Sequence, residues 1–369
     1  MKFGARVFCL SLLVAAAYLL LWPTPVAPVA WTAMADAGFT GPFKVNTKLS
    51  RANTISLGEY SGPEDIVAVR DNEQTVLFAS STQGAILKID PVTGEVDVFA
   101  QTGGHPLGME RQADGTLIVA DAHLGLLAVS PDGEVTTLTN SYDDLPLLFT
   151  DDLDIASDGI IYFSDASARF GAEAYSSPLA ASELDILEQS ASGRVLAYDP
   201  AKNTTTVVAS NLSFANGVAL TADGQSLLVA ETGRYRVHKI ALTDQKNDAP
   251  VTIIDNLPGF PDNINRGPDL SDGTPTYLLG LAAPRVPVLD ELAGRPFVRK
   301  VISRLPAALK PAPVHYSFVM QFTEDGRILQ TWQDPDGHLI TTTGGIAPGD
   351  GYLYISSVSD NKIGRVLHP

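Results

Sequence analysis

The sequence predicts an all-β fold, a six-bladed β-propeller, preceded by an N-terminal hydrophobic anchor helix. Three observations carry that expectation. A unit of short strands recurs six times at the 40–45-residue period of propeller blades. Its strands are separated by Gly and Asp turns of the kind that join antiparallel neighbours. An uncharged apolar run fills the N-terminus.

The leader comes first. Residues 3–22 (FGARVFCLSLLVAAAYLLLW) carry one charge, Arg6, followed by sixteen uncharged residues, with Lys2 and Arg6 as a positive front. That is slightly short for a full span, and the positive front places the N-terminus in the cytoplasm. A cleaved signal peptide competes with this reading, because Ala33-Met34-Ala35 resembles a small-residue cleavage site. It lies well downstream of the apolar core, beyond Pro23, Pro25 and Pro28, which favours an uncleaved anchor. The expectation is a membrane-anchored protein with its propeller on the extracytoplasmic side, or a secreted one if the leader is removed. Residues 1–22 are thus read as signal-anchor, 23–52 as linker and 53–369 as propeller.

The six units follow in order. Unit one reads GPEDIVAV, TVLFASS, GAILKIDPVTGEVDVF; unit two HPLGMER, QADGTLIVADA, LGLLAVSPDGEVTTL; unit three FTDDLDI, ASDGIIYFSDA, GRVLAYDPAKNTTTVV. Unit four reads FANGVAL, TADGQSLLVAET, YRVHKIAL; unit five FPDNIN, TYLLGLA, FVMQFTEDGRILQTW; unit six TTGGIAP, GDGYLYISS, IGRVLHP. Tight turns between sequential strands favour meanders over the coils of a solenoid. The last unit lacks an outer strand, and residues 53–60 (NTISLGEY) are expected to supply it, closing the ring and covering a sheet edge.

Two stretches interrupt the period, residues 170–192 in unit three and 284–314 in unit five. Long insertions in a compact fold serve as lids, binding loops or membrane contacts. In the second, Phe297, Val298, Val301, Ile302 and Leu305 follow helical spacing among Arg295, Arg299, Lys300 and Arg304. That pattern fits a basic amphipathic helix lying on a membrane or over a pocket, and equally a helix packed on the propeller rim.

Composition limits the function. Of 369 residues, 45% are hydrophobic and 18% charged, enough apolar content for a large core. A net charge of −17, from 42 acidic and 25 basic residues, argues against a nucleic-acid partner. Cys9, in the leader, is the only cysteine, so the propeller holds no disulfide and no thiolate metal site. Asn203-Thr-Thr and Asn211-Leu-Ser match the glycosylation sequon.

Pseudo-symmetry then compares residues that should share one ring around the axis. The start of each unit carries Glu64, Leu107, Asp151, Asn216, Asp262 and Gly344. Four of these are oxygen donors. Gathered carboxylates repel one another unless a cation sits among them, and oxygen ligands without His or Cys indicate calcium, then magnesium or manganese. Asn263 would add a further oxygen. The alternative is that such residues only cap strand turns. Asp121, Asp165 and Glu231 occupy a second equivalent slot, suited to orienting the ligands or to bonding a neighbouring blade's backbone. Asp152 stands between ligand support and turn, and His105 and His123 are the nearest histidines that would serve as a general base.

GPEDI, PLGM with VADAHLGL, DDLDI with IYFSDAS, FANGVALTADG with LLVAETGRYRVHKI, and NLPGFPDNI resemble the strictosidine synthase-like branch of the superfamily that also holds gluconolactonases and paraoxonases. Within it they resemble most the group of membrane-associated proteins and their bacterial relatives. The resemblance covers nearly all the chain after residue 55, and extends to the leader and to RLPAALKPAPVHYSFVMQF. It implies calcium in a central tunnel and hydrolysis of lactones or aryl esters, with the family's metal ligands falling on Glu64, Asp151, Asn216, Asp262 and Asn263. Asp151 departs in type from the family's asparagine. The paraoxonase histidine pair falls on Leu107 and Ala122, so that relay is absent. The strictosidine synthase glutamate has no counterpart in residues 339–345 (LITTTGG), which argues against Pictet–Spengler condensation. The leading expectation is a metal-dependent hydrolase of a small ester or lactone, with Asp262 or Asp121 activating water; the alternatives are a non-catalytic, calcium-stabilised binding propeller and a condensing enzyme.

Overall fold

The computed structural model describes residues 2–71, 74–242, 250–310, 314–337 and 341–368. Six four-stranded antiparallel sheets stand around one axis. Their innermost strands are Ile66–Asp71, Pro106–Arg111, Thr150–Ile155, Ala215–Leu220, Gly259–Gly267 and Thr342–Ile346. In blades 1 to 5 each sheet is a meander in sequence order. Blade 6 takes its outer strand from Asn53–Ser56, which pairs antiparallel with Lys362–Leu367 from Asn53↔Arg365 to Ser56↔Lys362. The expected ring closure is therefore observed, and it ties the chain's two ends by backbone hydrogen bonds.

The core lies between blades, because the two faces of a propeller sheet both pack on neighbours. Ile118, Ala120 and Leu126 of blade 2 pack with Leu153, Phe163 and Leu196 of blade 3. Leu228 and Val237 of blade 4 meet Tyr277, Phe318 and Phe322 of blade 5. This explains why middle strands such as Leu117–Asp121 and Ser226–Glu231 are buried at every position instead of alternating.

The insertions become helices on one face of the ring. α1 is the leader, Lys2–Leu21. α2, Pro178–Glu188, belongs to the blade 3 insertion, and its Ser177 N-cap side chain accepts from the Ala180 N–H. α3, Pro287–Glu291, and α4, Pro296–Ile302, belong to the blade 5 insertion. Its residues 311–313 lie outside the described residues, as do Leu339 and Ile340 of the stretch compared for the condensing glutamate.

α4 is turned differently from the amphipathic expectation. Arg299 is 1% exposed whereas Phe297 is 65% exposed. The Arg299 guanidinium donates to the carbonyls of Leu187, Val29 and Ala293, so the residue read as part of a basic solvent face is an internal clamp.

Residues 23–52, read as a linker, lie along the propeller. Val26 and Leu49 are buried. Trp31 N–H donates to Ala293 O, and Leu49 N–H donates to Gln333 O. Phe39 stacks on Tyr316 with ring centroids 4.7 Å apart. Arg304 reaches the end of α1 and donates to the carbonyls of Leu19 and Trp22, where a helix leaves its last acceptors unpaired. Phe3, Phe8, Leu13 and Leu21 of α1 are exposed. Among the described residues no helix is long and apolar enough to cross a membrane.

Candidate active site in the central tunnel

A β-bulge repeated around the ring builds the site. In blade 3 the pairing passes from Thr150↔Asp165 to Leu153↔Phe163, leaving Asp151 and Asp152 opposite one residue. Leu107 and Gly108, Asn216 and Gly217, and Asp262 and Asn263 occupy the same two-against-one arrangement. A bulge turns one side chain out of the sheet's alternation, and here the first bulge residues of blades 2 to 5, with Glu64 of blade 1, line a cavity at the mouth of the tunnel. In blade 6 the pairing passes from Thr342↔Ser357 to Gly345↔Ile355, so the equivalent of Glu64 is Thr343, one residue before the glycine aligned by sequence.

The cavity has a volume of about 320 Å³. Glu64, Asp151, Asn216 and Asp262 reach it from four blades, and Leu107 fills the blade 2 position. Its walls are apolar: Phe149, Phe214 and Phe260 from the blades, Leu187 from α2, Leu289 from α3 and Ile302 from α4. The interrupting segments thus enclose the polar floor.

The four donors are buried, with exposures of 3–7%. Burial, then the charges of Asp262 and Asp151, holds the Glu64 carboxyl well above the usual range. Burial and then Asp262 do the same to Asp151. Asp262 is pushed up to about 7 by burial, against a hydrogen bond from Asn216 that favours its charged form. Glu64 Oε2, Asp151 Oδ2 and Asn216 Oδ1 have no hydrogen-bond partner. Three coupled carboxyls and an amide, with orphaned oxygens and no soft donor, fit a hard divalent cation. Among the described residues no three acidic or histidine side chains form a closed cluster ready to hold an ion.

The second bulge residues fasten neighbouring blades. Asp65 accepts from Met109 N–H at 2.9 Å, and Asp152 accepts from Val218 N–H at 2.8 Å. Asn263 Nδ2 donates to the Glu64 carbonyl at 3.0 Å, as does Thr343 Oγ1 at 2.6 Å. Asp152 and Asn263 therefore hold the strands that carry the donors, although the Asn263 Oδ1 is also unpaired.

The remaining sequence-derived candidates lie outside the cavity wall. Asp121 does not line the cavity; its Oδ1 accepts from the N–H groups of His105, His123 and Leu124, whereas its buried Oδ2 has no hydrogen-bond partner. Asp165 accepts from Phe149 N–H and Arg194, and Glu231 from Ser213 N–H, Arg236 and His238. His105 and His123 pack ring to ring at 5.5 Å, and burial, then His123, pushes the His105 pKa down to about 4. The histidine that does line the cavity is His315, whose Nδ1 is 3.0 Å from Thr341 Oγ1. It stands just after the blade 5 insertion, within RLPAALKPAPVHYSFVMQF but outside the repeated slots that marked the other candidates.

Comparison with known proteins adds the following. The strictosidine synthase family matches residues 151–245, and the N-terminal region of strictosidine synthase-like proteins matches residues 41–89. Adipocyte plasma membrane-associated protein of Salmo salar is 33% identical over 375 residues, covering 95% of this chain and 85% of that protein. A gluconolactonase from Xanthomonas campestris has a similar structure, with TM-score 0.58, 18% identity, and coverage of 94% of this chain and 99% of the other. A calcium-binding protein, regucalcin, from Agrobacterium tumefaciens follows with TM-score 0.56, 12% identity, and coverage of 85% and 93%. At these identities the solved structures establish the propeller fold.

Proposed function

The chain belongs to the adipocyte plasma membrane-associated protein family of strictosidine synthase-like proteins, and on that premise we propose that it is a calcium-dependent hydrolase of lactones or aryl esters. The observation that carries this reading is the set of four buried oxygen donors on the floor of an apolar-walled cavity. The gluconolactonase and calcium-binding neighbours support it by analogy.

Glu64, Asp151, Asn216 and Asp262 would hold the cation, with Asn263 and Thr343 fixing the strand of Glu64. When bound, a divalent cation there supplies Lewis-acid polarisation of the substrate carbonyl. The aromatic and aliphatic walls take the apolar part of the ester and exclude bulk water. Water adds to the carbonyl carbon, Asp262 accepts its proton, and the proton passes to the departing alkoxide as the ester bond breaks. Leu107 stands where the resemblance to paraoxonases would place a histidine, and that observation favours the second reading, a non-catalytic binding propeller. The described part of the last inner strand also brings no glutamate to the tunnel, which weighs against condensation chemistry.

The exposed apolar surface of α1, fastened at its C-terminal end by Arg304, supports an anchor in the membrane with the propeller outside the cytoplasm. Hydrolysis of phenyl acetate and aliphatic lactones by the full chain in detergent tests the reading. Turnover should fall in chelator, return with calcium and vanish in Asp262→Ala. A calcium-replete protein inactive on broad ester and lactone panels would refute it.

A further inference from the structure

A second cavity of about 220 Å³ lies on the other side of the short 3-10 turn Thr232–Arg234. Thr232 faces the central cavity and Arg234 the second one, and the two share no lining residue. Trp31 and Met34 from the segment before the propeller, Asn211 from blade 3, and Arg236, Asn256 and Arg285 line it, together with two carboxylates, Glu231 and Asp255. In a chain of net charge −17, three arginines against two carboxylates leave this hollow with an excess of positive charge.

The three arginines are not equivalent. Arg285 is framework: it donates to Leu257 O, Met34 O and Asn256 Oδ1, and its guanidinium lies 3.9 Å from the Tyr235 ring centroid. Arg236 pairs through Nε with Glu231 at 2.6 Å. Glu231 is already occupied by Ser213 N–H and His238. Arg234 forms no side-chain hydrogen bond and no ion pair among the described residues; it lies against the face of Trp31, at 4.5 Å, with Glu231 as the nearby acidic charge. Burial, opposed by Glu231 and reinforced by Arg236, lowers its pKa. Stacking fixes the plane of a guanidinium and leaves its edge donors to a ligand.

We propose that this cavity binds the oxyanion group, carboxylate or phosphate, of a small polar molecule, held by Arg234 and Arg236. The planar fork of Arg234 matches the two oxygens of such a group. Asn211, at the rim, and Thr32 supply neutral polar neighbours, and the volume suits a ligand smaller than drug size. The site is independent of the tunnel chemistry, so its fate does not follow that of the hydrolase reading.

Calorimetric titration of the metal-free full chain with inorganic phosphate and with acetate, against chloride at matched ionic strength, tests it. Saturable binding of phosphate alone assigns a phosphate ligand, and of acetate alone a carboxylate. Arg234→Gln should weaken binding at least tenfold. Asn211→Asp sets a negative charge at the rim at a position whose φ of 63° asparagine and aspartate both tolerate, and should weaken binding several-fold without touching the core. Absence of saturable binding of both anions, or affinity unchanged in Asn211→Asp and Arg234→Gln, would overturn the proposal.

Discussion

Replacing Arg299 by methionine tests how the insertions and the N-terminal segment are held over the tunnel. The side chain is 1% exposed and has no acidic partner among the described residues. It satisfies carbonyls in three separate places: Leu187 at the end of α2, Val29 before the propeller, and Ala293 between α3 and α4. Methionine keeps most of the volume and removes all three donors. The Ala293 carbonyl keeps the Trp31 N–H, so the two carbonyls of Leu187 and Val29 are left unpaired, at about 1–3 kcal/mol each. Relief of the buried cation's desolvation offsets part of this, leaving a net loss of about 1–3 kcal/mol. The loss should be local, because the three carbonyls that Arg299 holds all belong to residues outside the blade strands. Hydrogen exchange at residues 25–31 and 178–188 should accelerate on the order of tenfold or more, with core strands unchanged. Exchange in both segments matching the parent protein would refute the clamp.

Three further outcomes follow from the same structure. Burial, the largest cause, pushes the Asp185 carboxyl up to about 6, so ionising it opposes folding. The penalty is absent below about pH 4, grows as pH rises through 6, and reaches about 3 kcal/mol for a shift of this size. Asp185→Asn should therefore stabilise the protein in urea at pH 7.5 and have little effect at pH 4; the reverse order would contradict this assignment. A Cβ on Gly217 would lie 2.4 Å from the Asp262 carbonyl oxygen and 2.5 Å from Ile264 N, so Gly217→Ala should cost about 1–3 kcal/mol in thermal unfolding. Removing residues 2–21 should release the protein from the membrane fraction with its melting transition retained, and a parent chain already in the soluble fraction would dismiss the anchor.

Blades, turns and the closing strand were legible because they depend on local patterns: alternation, Gly and Asp turns, and a repeated length. The slot residues Glu64, Asp151, Asn216 and Asp262 were legible for the same reason, since the repeat carries them to one cavity. What local pattern does not reveal is pairing. The bulge that aims the donors is a register shift against the next strand, so the blade 6 slot, Thr343, was displaced to Gly344. Tertiary contacts decided the rest. Helical spacing shows that Arg299 shares a face with other charges, but not that three carbonyls from distant segments converge on it. Asp121 carries a carboxylate at a repeated position, yet its bonds to three loop N–H groups are visible only in the fold. The docking of residues 23–52 depends on contacts hundreds of positions apart, such as Leu49 with Gln333, and His315 reaches the cavity only in the folded ring.

Four oxygen donors from four blades meet at the proposed cation site. Calorimetric titration of calcium into the metal-free full chain measures this most directly. One calcium per chain should bind, and at a hundred times Kd should raise stability by about 2.7 kcal/mol. Glu64→Gln should abolish both effects while retaining the fold. Absence of calcium binding, or undiminished binding in Glu64→Gln and Asp262→Asn, would contradict the central claim.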